Sequence, residues 1–105
     1  MIGVDIVDVS RIARIVETHG EKFLTKVFTD EEISYVEGKK GAYQSLAGRF
    51  AAKEAFMKAL GRPLPWREIE VSEIKGRPFI LFHGQRYEGV SISHEKAYAV
   101  SVVMI

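Results

Sequence analysis

The sequence predicts an α+β fold: an N-terminal strand, helices including one long central helix, then antiparallel strands packed against it. Three observations carry this expectation. Residues 2–8 read Ile-Gly-Val-Asp-Ile-Val-Asp, an alternation with the period of a strand. Residues 46–61 run Leu-Ala-Gly-Arg-Phe-Ala-Ala-Lys-Glu-Ala-Phe-Met-Lys-Ala-Leu-Gly, rich in good helix formers and closed by a glycine suited to a C′ position. After Arg62-Pro-Leu-Pro65, which blocks further helix, the chain turns to short β-rich runs.

Composition bounds the function classes. At 105 residues the chain reads as a single domain, residues 1–105, able to bury roughly two-thirds of its unfolded surface. With 47% hydrophobic and 28% charged residues it has the balance of a soluble globular protein. Fifteen Lys+Arg against fourteen Asp+Glu leave +1, so no global field recruits nucleic acid or membrane. The absence of cysteine excludes disulfides, thiolate zinc sites and cysteine nucleophiles. The first residues carry no signal-peptide pattern, and no apolar run reaches transmembrane length. A cytoplasmic protein is expected.

Taken in order, the first strand puts Ile2, Val4 and Ile6 on one face and Gly3, Asp5 and Val7 on the other. Asp8 and Ser10 compete as N-cap of the next helix, with Asp8 favoured. That helix runs from Ser10 to about His19, its buried stripe Val9, Ile12, Ile15 and Val16, and Gly20 ends it. Phe23, Leu24, Val27 and Phe28 suit a helical turn over the core. Thr29-Asp-Glu-Glu32 is a capping box whose acidic residues compensate the dipole of a short helix bearing Ile33, Tyr35 and Val36. Gly38-Lys-Lys-Gly41 is a basic loop before the central helix. Beyond the prolines, strands are expected at Ile69–Ile74, Phe79–Phe82, Val90–His94 and Tyr98–Ile105, with a turn at Lys75–Pro78 and a loop at His83–Gly89. The last strand is almost wholly apolar, as if covered on both faces, by helix on one side and another subunit on the other.

The chemistry-bearing residues gather on the first strand and the central helix. Asp5 is a carboxylate inside an apolar strand, either bonded to a loop amide at an edge or ligating a metal. On the helix, Arg49 and Lys53 are like charges at i,i+4, a spacing that costs a few tenths of a kcal/mol unless an anion lies between them. Glu54 and Lys58 are an ordinary favourable pair at the same spacing. Two carboxylates suit a hard cation such as Mg²⁺, and basic neighbours suit phosphate. His94 stands at a strand end; His19 and His83 sit in no complementary pattern. No P-loop and no G-x-G-x-x-G occurs.

Gly3-Val-Asp-Ile-Val-Asp8, Ala47-Gly-Arg-Phe-Ala-Ala-Lys-Glu-Ala-Phe56, Gly76-Arg-Pro78 and Val90-Ser-Ile-Ser-His94 together resemble the small 4′-phosphopantetheinyl transferases, the holo-acyl-carrier-protein synthases, over essentially the whole chain. The resemblance implies the fold of that family. It also implies transfer of phosphopantetheine from coenzyme A to a serine of apo acyl carrier protein, releasing adenosine 3′,5′-bisphosphate, in support of fatty acid biosynthesis. By motif position it makes Asp5 and Glu54 the Mg²⁺ ligands and Lys58 the residue that stabilises the diphosphate and the departing phosphate. It places Arg49, Lys53, Lys58 and His94 around the coenzyme A phosphates, and Arg11 and Arg14 on a helix that docks the acidic carrier protein. It further implies a homotrimer with active sites between subunits. The serine proton would go to Glu54, Asp5 or a metal-bound water. The chain departs from the family in its short His83–Gly89 connection and in Arg62-Pro-Leu-Pro65. Two other readings compete: a modifier of polyketide or peptide synthetase carrier domains, and a non-catalytic module whose Arg11, Arg14, Lys39 and Lys40 bind an acidic partner.

Overall fold

Helix α4 (Ala42–Leu60) is the axis of the computed structural model, which describes residues 1–105. Before it come strand β1 (Ile2–Asp8) and helices α1 (Val9–His19), α2 (Glu21–Val27) and α3 (Asp30–Val36). After it, a 3₁₀ turn at Trp66–Glu68 leads into β2 (Ile69–Ile74), β3 (Arg77–Phe82), β4 (Gln85–Tyr87), β5 (Val90–His94) and β6 (Tyr98–Met104). Two antiparallel three-stranded sheets result, ordered β1-β6-β5 and β2-β3-β4. Both pack on α4, so the expected α+β architecture is the one observed.

Small residues set how closely the first sheet approaches. Ala47, Ala51, Ala55 and Ala59 are buried along one side of α4, where β1 and β6 lie. A side chain at Gly3 would place its Cβ 2.0 Å from the Ala55 carbonyl oxygen. Only glycine lets strand and helix meet there. Gly3, Asp5 and Val7 therefore face the helix, while Ile2, Val4 and Ile6 point away and are exposed. On β6, Ala99, Ser101 and Val103 are buried while Val100 and Val102 stay half-buried.

Beyond the alanines the core divides. Val7, Ile12, Phe28 and Leu46 pack with α1 and α2 around the first half of α4. Phe56, Ile69, Ile80, Phe82 and Val103 join its second half to both sheets. Phe50 bridges Phe23 and Trp66, its ring 5.0 Å from the indole and stacked on it. A helix buried on so many sides has no single polar face to gather its charges.

Local signals hold where they act over a few residues. Asp8 caps α1 by accepting from the Ser10 amide at 2.9 Å and from its hydroxyl at 2.7 Å, and these bonds hold its carboxyl below the usual range. The Thr29–Glu32 capping box is complete, and Gly61 ends α4 at φ 81°. Two turns differ from expectation. Lys75–Gly76 and His83–Gly84 are two-residue turns with positive φ at both positions, the geometry that matches strand twist in tight hairpins. The first lets β3 begin at Arg77 rather than Phe79, carrying Pro78 into register with Glu73. The second converts the expected His83–Gly89 loop into strand β4, which pairs Tyr87 with Ile80.

Candidate active site

The four charges of α4 separate into two environments. Lys53 is wholly buried, and its ammonium lies 2.7 Å from Glu32 Oε1. The same nitrogen donates to the carbonyls of Val27 (2.7 Å) and Trp66 (3.2 Å). Glu32 also accepts from the amides of Thr29 (2.8 Å) and Val71 (2.7 Å). Burial pulls the lysine below its usual range while the Glu32 charge opposes that shift.

Lys53, which the resemblance set beside the coenzyme phosphates, has its ammonium sealed inside this fold. Glu32 is more than dipole compensation: paired with Lys53 and bonded to the Val71 amide, it ties α3, α4 and β2 together.

Asp5 and Glu54 meet at the seam of β1 and α4. Burial, and next the adjoining Asp5 charge, push the Glu54 carboxyl above its usual range. Lys58 turns from Glu54 to Asp5, donating to Oδ1 at 3.2 Å and to the Val4 carbonyl at 3.0 Å. The Arg11 charge acts on Glu54 from α1 and partly offsets the repulsion. Arg14, one turn further along that exposed face, donates to Ser10 Oγ at 3.3 Å. Two hard oxygen donors that repel each other match a hard divalent cation. Asp5 and Glu54 thus fit the Mg²⁺ pair expected of them.

Arg49 and His94 line one cavity of about 240 Å³ with Tyr35, Ser45, Gly76 and Pro78. Gly48 makes this meeting possible, since a Cβ there would come 3.0 Å from Ile92 Cγ2 and 4.0 Å from the His94 ring. Arg49 donates to Ser45 Oγ at 2.7 Å and stacks on the Tyr35 ring at 4.3 Å. Its Nε is buried with no partner. Among the phosphate candidates, then, Arg49 and His94 share one cavity and Lys58 stands with the carboxylates. Tyr35, Ser45 and Glu73, which also line the cavity, escaped sequence reasoning. Tyr35 looked like core packing for α3, and only its neighbours across the fold show otherwise.

Comparisons with known proteins identify the family. The family model of the 4′-phosphopantetheinyl transferase superfamily matches residues 1–103. A holo-[acyl-carrier-protein] synthase of Halothermothrix orenii is 43% identical over 98% of this chain and 94% of its own length. One from Ruminiclostridium cellulolyticum is 42% identical over 100% and 90%. The crystal structure of the Helicobacter pylori holo-[acyl-carrier-protein] synthase in complex with coenzyme A superposes with a TM-score of 0.88 at 33% identity, covering 99% of this chain and 98% of that one. A Bacillus anthracis synthase in complex with CoA (3′,5′-ADP) gives 0.86 at 35% identity, covering 97% and 91%. Matched from end to end in sequence and in fold, this chain belongs to the 4′-phosphopantetheinyl transferase superfamily.

Proposed function

We propose that this chain transfers the 4′-phosphopantetheine group of coenzyme A to a serine hydroxyl of apo acyl carrier protein, forming the holo carrier and adenosine 3′,5′-bisphosphate. The observation that carries this reading is the pairing of Asp5 and Glu54 on a seam that Lys58 also reaches. Relatives crystallised in complex with coenzyme A or CoA (3′,5′-ADP), at 33–35% identity over nearly all of the chain, support it.

Phosphoryl transfer asks a protein to position the reactants and to neutralise charge on phosphate oxygens. Arg49 and His94 supply donors for the phosphates from their shared cavity. Lys58 keeps an ammonium at Asp5, where a swing of its half-exposed side chain reaches a bound diphosphate. Asp5 and Glu54 would hold Mg²⁺, whose chemistry when bound is to screen and orient the diphosphate oxygens. The exposed Arg11 and Arg14 of α1 offer positive charge to an acidic carrier protein beside that pair.

The apolar face of β1 and β6, with Ile2, Val4, Ile6 and Met104 all more than half exposed, is covered by further copies of the chain in a homotrimer. A neighbouring copy then borders each coenzyme site. The whole of residues 1–105 acts as one phosphopantetheinyl transferase domain, working in the cytoplasm for fatty acid biosynthesis; no helix is long and apolar enough to cross a membrane.

The test is the intact mass of apo acyl carrier protein incubated with this protein, coenzyme A and Mg²⁺. A gain of one phosphopantetheine, lost with EDTA, is the expected result. No gain, with neither coenzyme A nor the carrier bound, would overturn the reading.

A further inference from the structure

Arg49 is almost wholly buried, and yet its guanidinium is only partly committed: one nitrogen donates to Ser45 Oγ at 2.7 Å, and Nε has no partner. A buried cationic donor without a partner is costly, and the side chain lies on the wall of the cavity shared with His94. What holds the plane of the guanidinium is Tyr35, whose ring centroid is 4.3 Å from Arg49 Cζ. The ring is itself fixed at its far end, because the Tyr35 hydroxyl donates to the Glu73 carboxylate on β2. Lys39 Nζ also sits over this ring, 3.6 Å from the centroid. The ring that α3 carries is thus met by cations from the loop before α4 and from α4 itself, while the end of β2 holds its hydroxyl.

We propose that Tyr35 is a positioning residue for coenzyme binding: its ring, pinned by Glu73, sets the plane of Arg49 and keeps the free edge of the guanidinium available to a coenzyme phosphate. An arginine has long rotamer freedom to lose when it binds an anion. Stacking on a fixed ring removes that freedom in advance, so less is lost when the phosphate arrives. The ring also shields the cation on one face without competing for its N–H groups, which a carboxylate partner in that position would consume. Tyr35 touches no reacting atom; it acts through Arg49. The inference rests on the reading of the Arg49–His94 cavity as the seat of coenzyme phosphate.

Calorimetric titration of adenosine 3′,5′-bisphosphate into the assembled protein tests it, using wild type, Tyr35→Leu, Tyr35→Phe, Arg49→Ala and the Tyr35→Leu/Arg49→Ala pair. Tyr35→Leu keeps apolar bulk and removes the π face, and is expected to weaken binding about five- to thirty-fold. Tyr35→Phe restores the face and should recover to within about threefold of wild type. In the double variant the Tyr35 loss should vanish, leaving affinity within about twofold of Arg49→Ala alone. In steady-state transfer, the loss in Tyr35→Leu should appear in KM for coenzyme A more than in kcat. Wild-type affinity in Tyr35→Leu alongside weak binding by Arg49→Ala would overturn the positioning role, as would losses that add in the double variant. Equal binding by wild type and Arg49→Ala would instead overturn the coenzyme reading of the cavity, and this proposal with it.

Discussion

Lys53 and Lys58 stand five residues apart on one helix, and their surroundings could hardly differ more. Lys53 is sealed inside, with a carboxylate and two carbonyls around its ammonium. Lys58 is half in solvent, resting on Asp5 and the end of a strand carbonyl. Their acidic partners differ in the same sense. Glu32 is satisfied by two backbone amides besides the lysine, whereas Glu54 stands beside another carboxylate, and burial, and next that charge, push it up. A buried pair with every bond made is a structural tie. An open pair with like charges side by side is an arrangement that a cation would relieve. One helix carries both, and burial alone decides which is which.

Breaking the two sites should therefore move different quantities. Glu54→Gln is expected to lower the transfer rate by on the order of a thousandfold, the scale of losing a charge-stabilising group at a phosphoryl centre. Its urea midpoint should hold or rise, since the change relieves repulsion with Asp5; retained turnover would break the comparison. Asp5→Asn should behave alike. Lys53→Met reverses the pattern, leaving the Glu32 carboxylate buried without its cation. We expect a loss of about 3–5 kcal/mol in unfolding free energy at fixed protein concentration, while the folded fraction keeps its turnover. Wild-type stability in that variant would show that the tie is dispensable.

Smaller effects sharpen the contrast. Gly3→Ala drives a Cβ into the Ala55 carbonyl and should cost about 1–3 kcal/mol, with activity falling as β1 carries Asp5 away from Glu54; unchanged melting would refute the close approach. Arg14→Glu should weaken carrier binding by on the order of tenfold at low salt, an effect that shrinks at high salt. Equal carrier affinity at both salt concentrations would remove α1 from the docking surface.

The smallest effect is a pH slope. The raised Glu54 carboxyl means that, between the ordinary carboxylate range and its own, the fold keeps a proton that the unfolded chain has released. Without divalent cation, stability should fall slightly as pH rises through that window. Glu54→Gln should flatten the slope in paired denaturation curves, and an identical slope in both proteins would discount the repulsion.

Much of this is legible in the sequence itself. The alternation of residues 2–8, the Thr29–Glu32 capping box, the Gly61 terminus and the spans of β2 and β5 are written in local chemistry, where periodicity and capping act over a few residues. The acid pair was less plain: by its residues Asp5 could equally bond a loop amide and Glu54 could pair with Lys58, and it was the resemblance of the surrounding motifs that set the two carboxylates together. The tight hairpins were harder. Lys75 and His83 adopt positive φ as non-glycine residues, a conformation their side chains disfavour in isolation and that pairing of the flanking strands imposes.

Partners far apart in the chain were decided by the fold alone. Glu32 reaches Lys53 and Val71, Lys58 chooses Asp5 over Glu54 one turn away, and Tyr35 meets Arg49 and Glu73. The reason is physical: a side chain's periodicity tells which face it occupies, but the identity of its counter-charge depends on which other element the core brings against that face. For Lys53 that element was α3, whose Glu32 makes the lysine part of the buried frame beneath the site.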